Sequence, residues 1–475
     1  MKLLEVFKAS AIGKMTVPAL TGAASAGTWA GNLMVGAQRT ARHPMAEGAM
    51  LLAGAQYAAA AIGLVTSVVS ARILGPNDFG LSAVVVSYPM LLGALVGVKS
   101  GSVTTRYIAA FRERRHDDML KGICLLGYAV DIFVSLLAFV LVAATAGWVS
   151  ATFFHAPQAA PLMVAFAAAF PVWCLYGTSS AILVSFEKFG WVAALQILDQ
   201  GLGAGLVIGL IAAGFGVPGA VLGAAAGHFL IGVIALFAAS SVFHRERSTH
   251  WWRGSITSLK PLRKEISSLF GWNYLVVTWS GLIGQVPLMV LAHLRGTEAA
   301  GFYRLATSIV AVGSYLETSM GKVAYPVLSA RWCSGSRTHL RQALRHWTLR
   351  AGLPVGLLVL FTIPFYPILV PLLFGAHYAP MAGGVQIMMA GAAVSAMFFW
   401  LNSFYYASAN LSFWTVGYAL QSIFVVGLAW IFVQRWGFSG MASLVAFGKI
   451  AFTLAMIGVF YRLGPNQPTN KASAS

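Results

Sequence analysis

The chain has 475 residues, 58% of them hydrophobic and only 9% charged, with a mean hydropathy of +0.77. A soluble protein carries about 25% charged residues, so a soluble globular enzyme, a disordered chain and a disulfide scaffold are excluded. A membrane-spanning helix needs about 20 apolar residues, and about twelve spans with short loops account for the length. Lys and Arg number 31 against 13 Asp and Glu, a net charge of +18. The basic residues fall between apolar runs rather than in one patch, which assigns them to loops held inside by their charge and not to nucleic acid. Cys124, Cys174 and Cys333 show no disulfide or metal spacing.

Residues 1–46 combine Lys2, Lys8, Lys14, Arg39 and Arg42 with a Gly/Ala/Thr-rich stretch that has few large apolar side chains. That stretch lacks the compact apolar core of a signal peptide, and an additional span would place three lysines outside. A cytoplasmic leader is expected. Apolar runs follow at 47–70, 80–104, 119–146, 159–182, 191–213 and 217–243. They resume at 270–293, 300–328, 350–374, 380–405, 412–434 and 438–461. Alternate loops carry the charge: Arg106 to Lys121, Arg245 to Lys264 and Arg331 to Arg350. The loops at 147–158, 214–217 and 375–380 carry no Lys or Arg. Both termini and the segment 244–269 are therefore expected to be cytoplasmic. Leu262, Ile266, Leu269 and Phe270 recur there at helical spacing, which predicts an interfacial helix linking a bundle at 47–243 to a second at 270–461, followed by a tail at 462–475.

The two sets of runs are related. Leu74-Gly-Pro-Asn-Asp-Phe-Gly80 aligns without gaps to Arg295-Gly-Thr-Glu-Ala-Ala-Gly301, an offset of 221 residues. The same offset lays Gly216-Val-Pro-Gly219 on Gly437-Phe-Ser-Gly440, Gln200 on Gln421, and Gly227-His228 on Gly448-Lys449. An even number of spans per repeat gives both halves the same orientation, related by an axis along the membrane normal. The expected fold is an all-α polytopic membrane protein of two six-helix bundles around a central cleft.

No GxxxxGK[ST] loop offers ATP hydrolysis, and no His/Cys motif offers a metal. No cofactor and no enzyme activity are expected. The informative residues are polar groups inside apolar runs: Lys99, Asp131, Asp199, Gln200, His228, Glu317, Lys322, Gln421 and Lys449. A charge at the bilayer centre costs about 2.5–3.5 kcal/mol on insertion scales, so such residues face a bundle interior or a watery cavity. Helix-to-helix ion pairing is the plain alternative, and for Lys99 and Lys322, near span ends, so is snorkelling. His228 and Lys449, at the same repeat position near mid-span, are candidates for binding an anionic group, and Lys449 is equally a candidate to pair with Glu317 or Asp131.

Ala71-Arg-Ile-Leu-Gly-Pro-Asn-Asp-Phe-Gly80 resembles the signature of bacterial polysaccharide-repeat-unit flippases, of the multidrug/oligosaccharidyl-lipid/polysaccharide exporter superfamily. The resemblance continues at Gly301-Phe-Tyr-Arg-Leu-Ala306, Tyr325-Pro-Val-Leu-Ser329 and Leu373-Phe-Gly-Ala-His-Tyr-Ala-Pro380. It implies an inner-membrane transporter of undecaprenyl-diphosphate-linked oligosaccharide for exopolysaccharide or O-antigen (lipopolysaccharide) assembly. Partner polymerases and glycosyltransferases belong to the same implication. The substrate's anionic head would meet cations at Lys99, His228, Lys322 and Lys449, and exchange against an ion gradient would give Asp131, Asp199 or Glu317 a coupling role. A multidrug antiporter of the same superfamily, a lipid II flippase and a non-transporting scaffold are the competing readings. Gly75, Pro76, Asp78 and Gly80 are expected to shape the turn between the first two spans, with Asp78 capping the second.

Overall fold

The computed structural model describes residues 44–97, 100–333, 337–408 and 411–463; among them there is no strand. The leader up to residue 43, Lys99 and the tail beyond 463 lie outside the described residues. Among the described residues, apolar helices long enough to cross a membrane number eight, but four of them are far too long to do so once. Phe189–Arg247, for example, has 59 residues, which at ~1.5 Å each is about three times a ~30 Å hydrocarbon core. Each of the four is broken by a glycine with positive φ, so the eight become twelve spans. These are α1 (44–74), α2 (76–96), α3 (Asp117–Thr152), α4 (Pro157–Ser185), α5 (189–215), α6 (Gly216–Arg247), α7 (263–295), α8 (297–333), α9 (Leu340–Phe374), α10 (Ala376–Met397), α11 (411–436) and α12 (438–463).

The breaks repeat in geometry as well as position. Gly75 has φ 75°, ψ 173° and Gly296 has φ 83°, ψ 178°. Gly216 has φ 53°, ψ −134° and Gly437 has φ 57°, ψ −135°. All four conformations are ones that a Cβ disfavours, and both pairs stand at the 221-residue offset. With Gly214 and Gly375 these are the positive-φ glycines of the described chain, and every one lies on the same side of the bundle, at the α1–α2, α5–α6, α7–α8, α9–α10 and α11–α12 turns. We call this the glycine face. The opposite, charged face turns through Arg115, Glu187 and Ser248 instead.

Small residues let the hairpins close. A Cβ on Gly219, Gly223 or Gly227 would meet Leu210, Val207 or Gly203 at 2.7–3.1 Å, so α6 runs back along α5 on a glycine stripe of four-residue spacing. In the second repeat Gly440 meets Phe432 and Gly448 meets Val425 in the same antiparallel sense. Large apolar side chains such as Phe133, Val140, Phe361 and Ile368 point outward and are exposed, as lipid-facing positions require.

The charged face is laced by ion pairs: Arg112–Glu187 at 3.2 Å, Lys188–Glu246 at 2.7 Å, Arg247–Asp117 at 2.9 Å and Arg106–Glu265 at 3.8 Å. They join the α2–α3, α4–α5 and α6–α7 connections. The separate interfacial helix expected within 244–269 is replaced by two short 3-10 turns, Trp251–Arg253 and Ile256–Leu262. From Arg263 the chain is already in α7, where Ile266 is buried beneath the first bundle's core. The helical spacing of those apolar residues is thus the first turns of a span, prolonged into the charged face.

Candidate functional site

The two repeats meet through their signature segments. A Cβ on Gly80 would lie 1.8 Å from the Thr297 carbonyl oxygen, and one on Gly301 would lie 2.7 Å from that of Pro76. Gly80 and Gly301 are repeat equivalents, so α2 and α8 cross backbone to backbone at the glycine face. Helix resumes at Pro76, immediately after Gly75, rather than near Gly80. Asp78 sits in that first turn, where a carboxylate is favoured by the helix dipole, while the neighbouring Asn77 accepts a hydrogen bond from Thr297 at 3.4 Å. Arg72 donates to the carbonyls of Leu373 (2.7 Å) and Leu372 at the end of α9, and Arg295 to those of Val433 and Gln434 at the end of α11. His293 closes the same face: its Nδ1 lies 2.6 Å from the Phe153 carbonyl oxygen, and its ring stacks on Phe153 at 4.4 Å.

The repeats also touch toward the charged face. Tyr57 donates to the Tyr315 carbonyl at 3.3 Å and Thr278 to that of Ala94 at 3.4 Å. The two bonds are repeat images of each other, since 57 and 278, like 94 and 315, stand 221 apart. Tyr274 adds a bond to the Leu95 carbonyl at 2.8 Å.

Three polar clusters lie within the bundles. Asp131 on α3 is buried and accepts from Ser100 at 2.5 Å and Thr178 at 2.7 Å; Thr104, also buried, keeps its hydroxyl unpartnered beside them. His228 on α6 faces Asp199 on α5 at 3.6 Å, beyond hydrogen-bond reach, and stacks on Trp173 at 3.9 Å. Lys449 on α12 faces Glu317 on α8 at 3.7 Å, while Ser395 donates to the other Glu317 oxygen at 3.0 Å. His228 and Lys449 both stand 12 residues beyond their repeat's glycine break, which is ~18 Å along the helix, near the middle of a ~30 Å core. Their acids are not repeat equivalents: Asp199 corresponds to Leu420, and Glu317 to Val96. Lys322 lies on α8.

Sequence reasoning passed over Arg304. It stands one turn beyond Gly301 on α8, accessible although Phe302, Tyr303, Leu305 and Ala306 around it are buried. It has no carboxylate within 4 Å among the described residues. The available signal was an arginine inside the apolar run 300–328, in a quoted motif. A second missed feature is a cavity of about 460 Å³ lined by Glu317, Thr318, Gly321, Tyr325, Phe399, Asn402, Ser403 and Tyr406, between α8 and the short helix Trp400–Ala407 that follows α10.

Two six-span bundles related by a repeat, with polar clusters inside, define the fold of a polytopic transporter, and solved structures of that class match it. The chain is similar to an inward-facing multidrug resistance MATE family transporter of the MOP superfamily, with a TM-score of 0.65 and 16% identity over 85% of this chain and 96% of that one. It is similar to the lipid II flippase MurJ in an inward closed conformation, with a TM-score of 0.69 and 14% identity over 87% of each chain. A MOP superfamily transporter from Pyrococcus furiosus matches with a TM-score of 0.64 and 16% identity, over 88% of this chain and 95% of that one. No curated protein matches the sequence. Residues 45–332 match the polysaccharide biosynthesis protein family, and the chain belongs to that family. It is a multi-pass membrane protein.

Proposed function

We propose that the protein carries undecaprenyl-diphosphate-linked oligosaccharide units across the bacterial inner membrane for exopolysaccharide or O-antigen assembly, by alternating access between its two bundles. The single observation that carries this reading is Arg304, an exposed cation within an apolar run, flanked by buried Phe302, Tyr303, Leu305 and Ala306 and with no carboxylate beside it among the described residues. A diphosphate crossing a low-dielectric slab needs such a partner, and a planar guanidinium binds it in bidentate fashion. The family description supports the polysaccharide pathway, and the likeness to a lipid II flippase supports a lipid-linked cargo. In this reading Lys449, His228, Lys99 and Lys322 add positive charge along the path. Asp131, Asp199 and Glu317 serve ion coupling. Asp131 is the best suited to take a proton, because its partners are neutral hydroxyls. Both termini and residues 244–269 face the cytoplasm, and a periplasmic reporter signal at residue 255 would overturn that topology.

Deletion of the gene should stop surface polysaccharide and accumulate lipid-linked units inside. Arg304→Lys should restore partial export and Arg304→Ala none, at equal membrane abundance. Normal polymer from an Arg304→Ala strain with no second flippase would refute the assignment.

A further inference from the structure

The cavity beneath Glu317 has a composition unlike a phosphate or ion site. Among the described lining residues the one charge, Glu317, is paired: it faces Lys449 at 3.7 Å and accepts from Ser395 at 3.0 Å. Ser403 is spent on the Gly321 carbonyl at 2.7 Å, and Thr318 on that of Ser314 at 2.9 Å. What remains is neutral. The Asn402 amide and the hydroxyls of Tyr325 and Tyr406 make no hydrogen bond among the described residues. All three side chains are exposed to the cavity they line, with Tyr325 at 44% and Tyr406 at 46%. Phe399 and the two tyrosine rings supply aromatic walls. At about 460 Å³ the space lies within the range of small-ligand sites, ~300–1,000 Å³.

In the first repeat the corresponding place holds a buried polar knot. At the 221-residue offset Ser100 corresponds to Gly321. Ser100 bonds Asp131 and Thr178 and closes the first bundle. Gly321 packs closely against Phe399 and Ser403, where a Cβ would stand 3.1 Å from the Ser403 hydroxyl.

A pyranose fits this chemistry. Its ring presents an apolar C–H face to aromatic carbon and a rim of hydroxyls that both donate and accept. An amide offers two donors and an acceptor, and a phenol one of each. We propose that this cavity binds a sugar residue of the cargo, with Asn402, Tyr325 and Tyr406 as the recognising groups. The identity of that sugar as part of a lipid-linked cargo rests on the function proposed above; the sugar site itself does not.

Saturation-transfer NMR on the full chain in nanodiscs, with free glucose, N-acetylglucosamine and glucuronate as probes, tests the site alone. Magnetisation should pass from protein to the ring C–H protons of at least one probe. It should be lost in Asn402→Ala and in Tyr406→Ala, both of which leave the Glu317–Lys449 pair intact. Tyr406→Phe should keep the stacking and weaken binding only several-fold. No transfer to any probe, or transfer that survives both alanine substitutions, overturns the proposal. A parallel measurement with sugar-free undecaprenyl diphosphate separates the two claims. If the lipid fails to bind while sugar transfer persists, the cargo reading falls and the sugar site stands. If the lipid binds equally well to wild type and variants while no sugar is detected, the reverse holds.

Discussion

At the residue scale the tightest constraint is Gly80. A Cβ placed 1.8 Å from the Thr297 carbonyl has no flexible neighbour to displace, because the obstruction is backbone. Gly80→Ala should therefore exceed the ~1–3 kcal/mol usual for overpacking and lower the folded yield, whereas Gly54→Ala, with nothing within 4 Å, should leave the Tm in detergent almost unchanged. Equal Tm values for the two variants would contradict the crossing. The Lys449–Glu317 pair gives a second test. Lys449→Ala and Glu317→Ala should each destabilise, and the double variant should lose less than their sum, with a coupling of about 0.5–3 kcal/mol. Strict additivity would mean the pair contributes nothing. The sequence made Lys449 conspicuous and named Glu317 and Asp131 as alternative partners. It could not decide between them, because acids and cations follow different rules here. His228 and Lys449 occupy repeat-equivalent positions and their facing acids do not, so only three-dimensional packing brings His228 to Asp199 and Lys449 to Glu317.

Helices and turns were more legible, because their determinants are local. Apolar length marks the spans, and glycine marks the reversals. The register came from a shared offset of glycines, and the matching φ and ψ of Gly75 with Gly296 and of Gly216 with Gly437 give that offset a physical cause. A Cβ at positive φ with ψ near 180°, a region essentially reserved for glycine, costs about 1–3 kcal/mol, so Gly75→Ala and Gly296→Ala should destabilise by similar amounts, with Asn at either position no milder. A cost at one and none at the other, in thermal unfolding, would break the equivalence. What was not legible is where a helix stops being a span: α7 extends seven residues beyond its apolar run, because Ile266 finds a buried site on the first bundle. On the charged face, Lys188 holds the Glu246 carboxyl below its ordinary pKa. A depressed carboxylate contributes stability above its unfolded pKa and loses it as pH falls through the folded value. Acidification below the usual carboxylate range should weaken this tie in the wild type but not in Glu246→Gln. The effect is small and salt-sensitive, since the pair is exposed.

For the whole molecule, the question is which end of the two-bundle assembly parts first. Contacts between the repeats exist at both ends but differ in kind. At the glycine face α2 and α8 meet backbone to backbone through Gly80 and Gly301, with His293 and its stack on Phe153 alongside. Toward the charged face the links are mainly polar: the equivalent hydroxyl-to-carbonyl bonds Tyr57 to Tyr315 and Thr278 to Ala94, with Tyr274 to Leu95 and the Arg106–Glu265 pair beside them. Each such bond is worth about 0.5–1.5 kcal/mol net, and its loss leaves groups that water can satisfy once the face is open. The charged face is therefore the easier one to separate. Tyr57→Phe combined with Thr278→Val removes the two equivalent bonds while keeping most of the side-chain volume. It should shift the balance toward a form open at that face by about 1–3 kcal/mol, roughly 5- to 150-fold in population. Spin labels at Glu113→Cys and Gln342→Cys, in a background without native cysteines, report the separation of the bundles at that end. The double variant should gain a longer-distance population absent from the parent, while labels at the glycine face keep theirs. An unchanged distribution at the charged face, or lengthening at the glycine face instead, would show that these two bonds are not what holds the bundles together there.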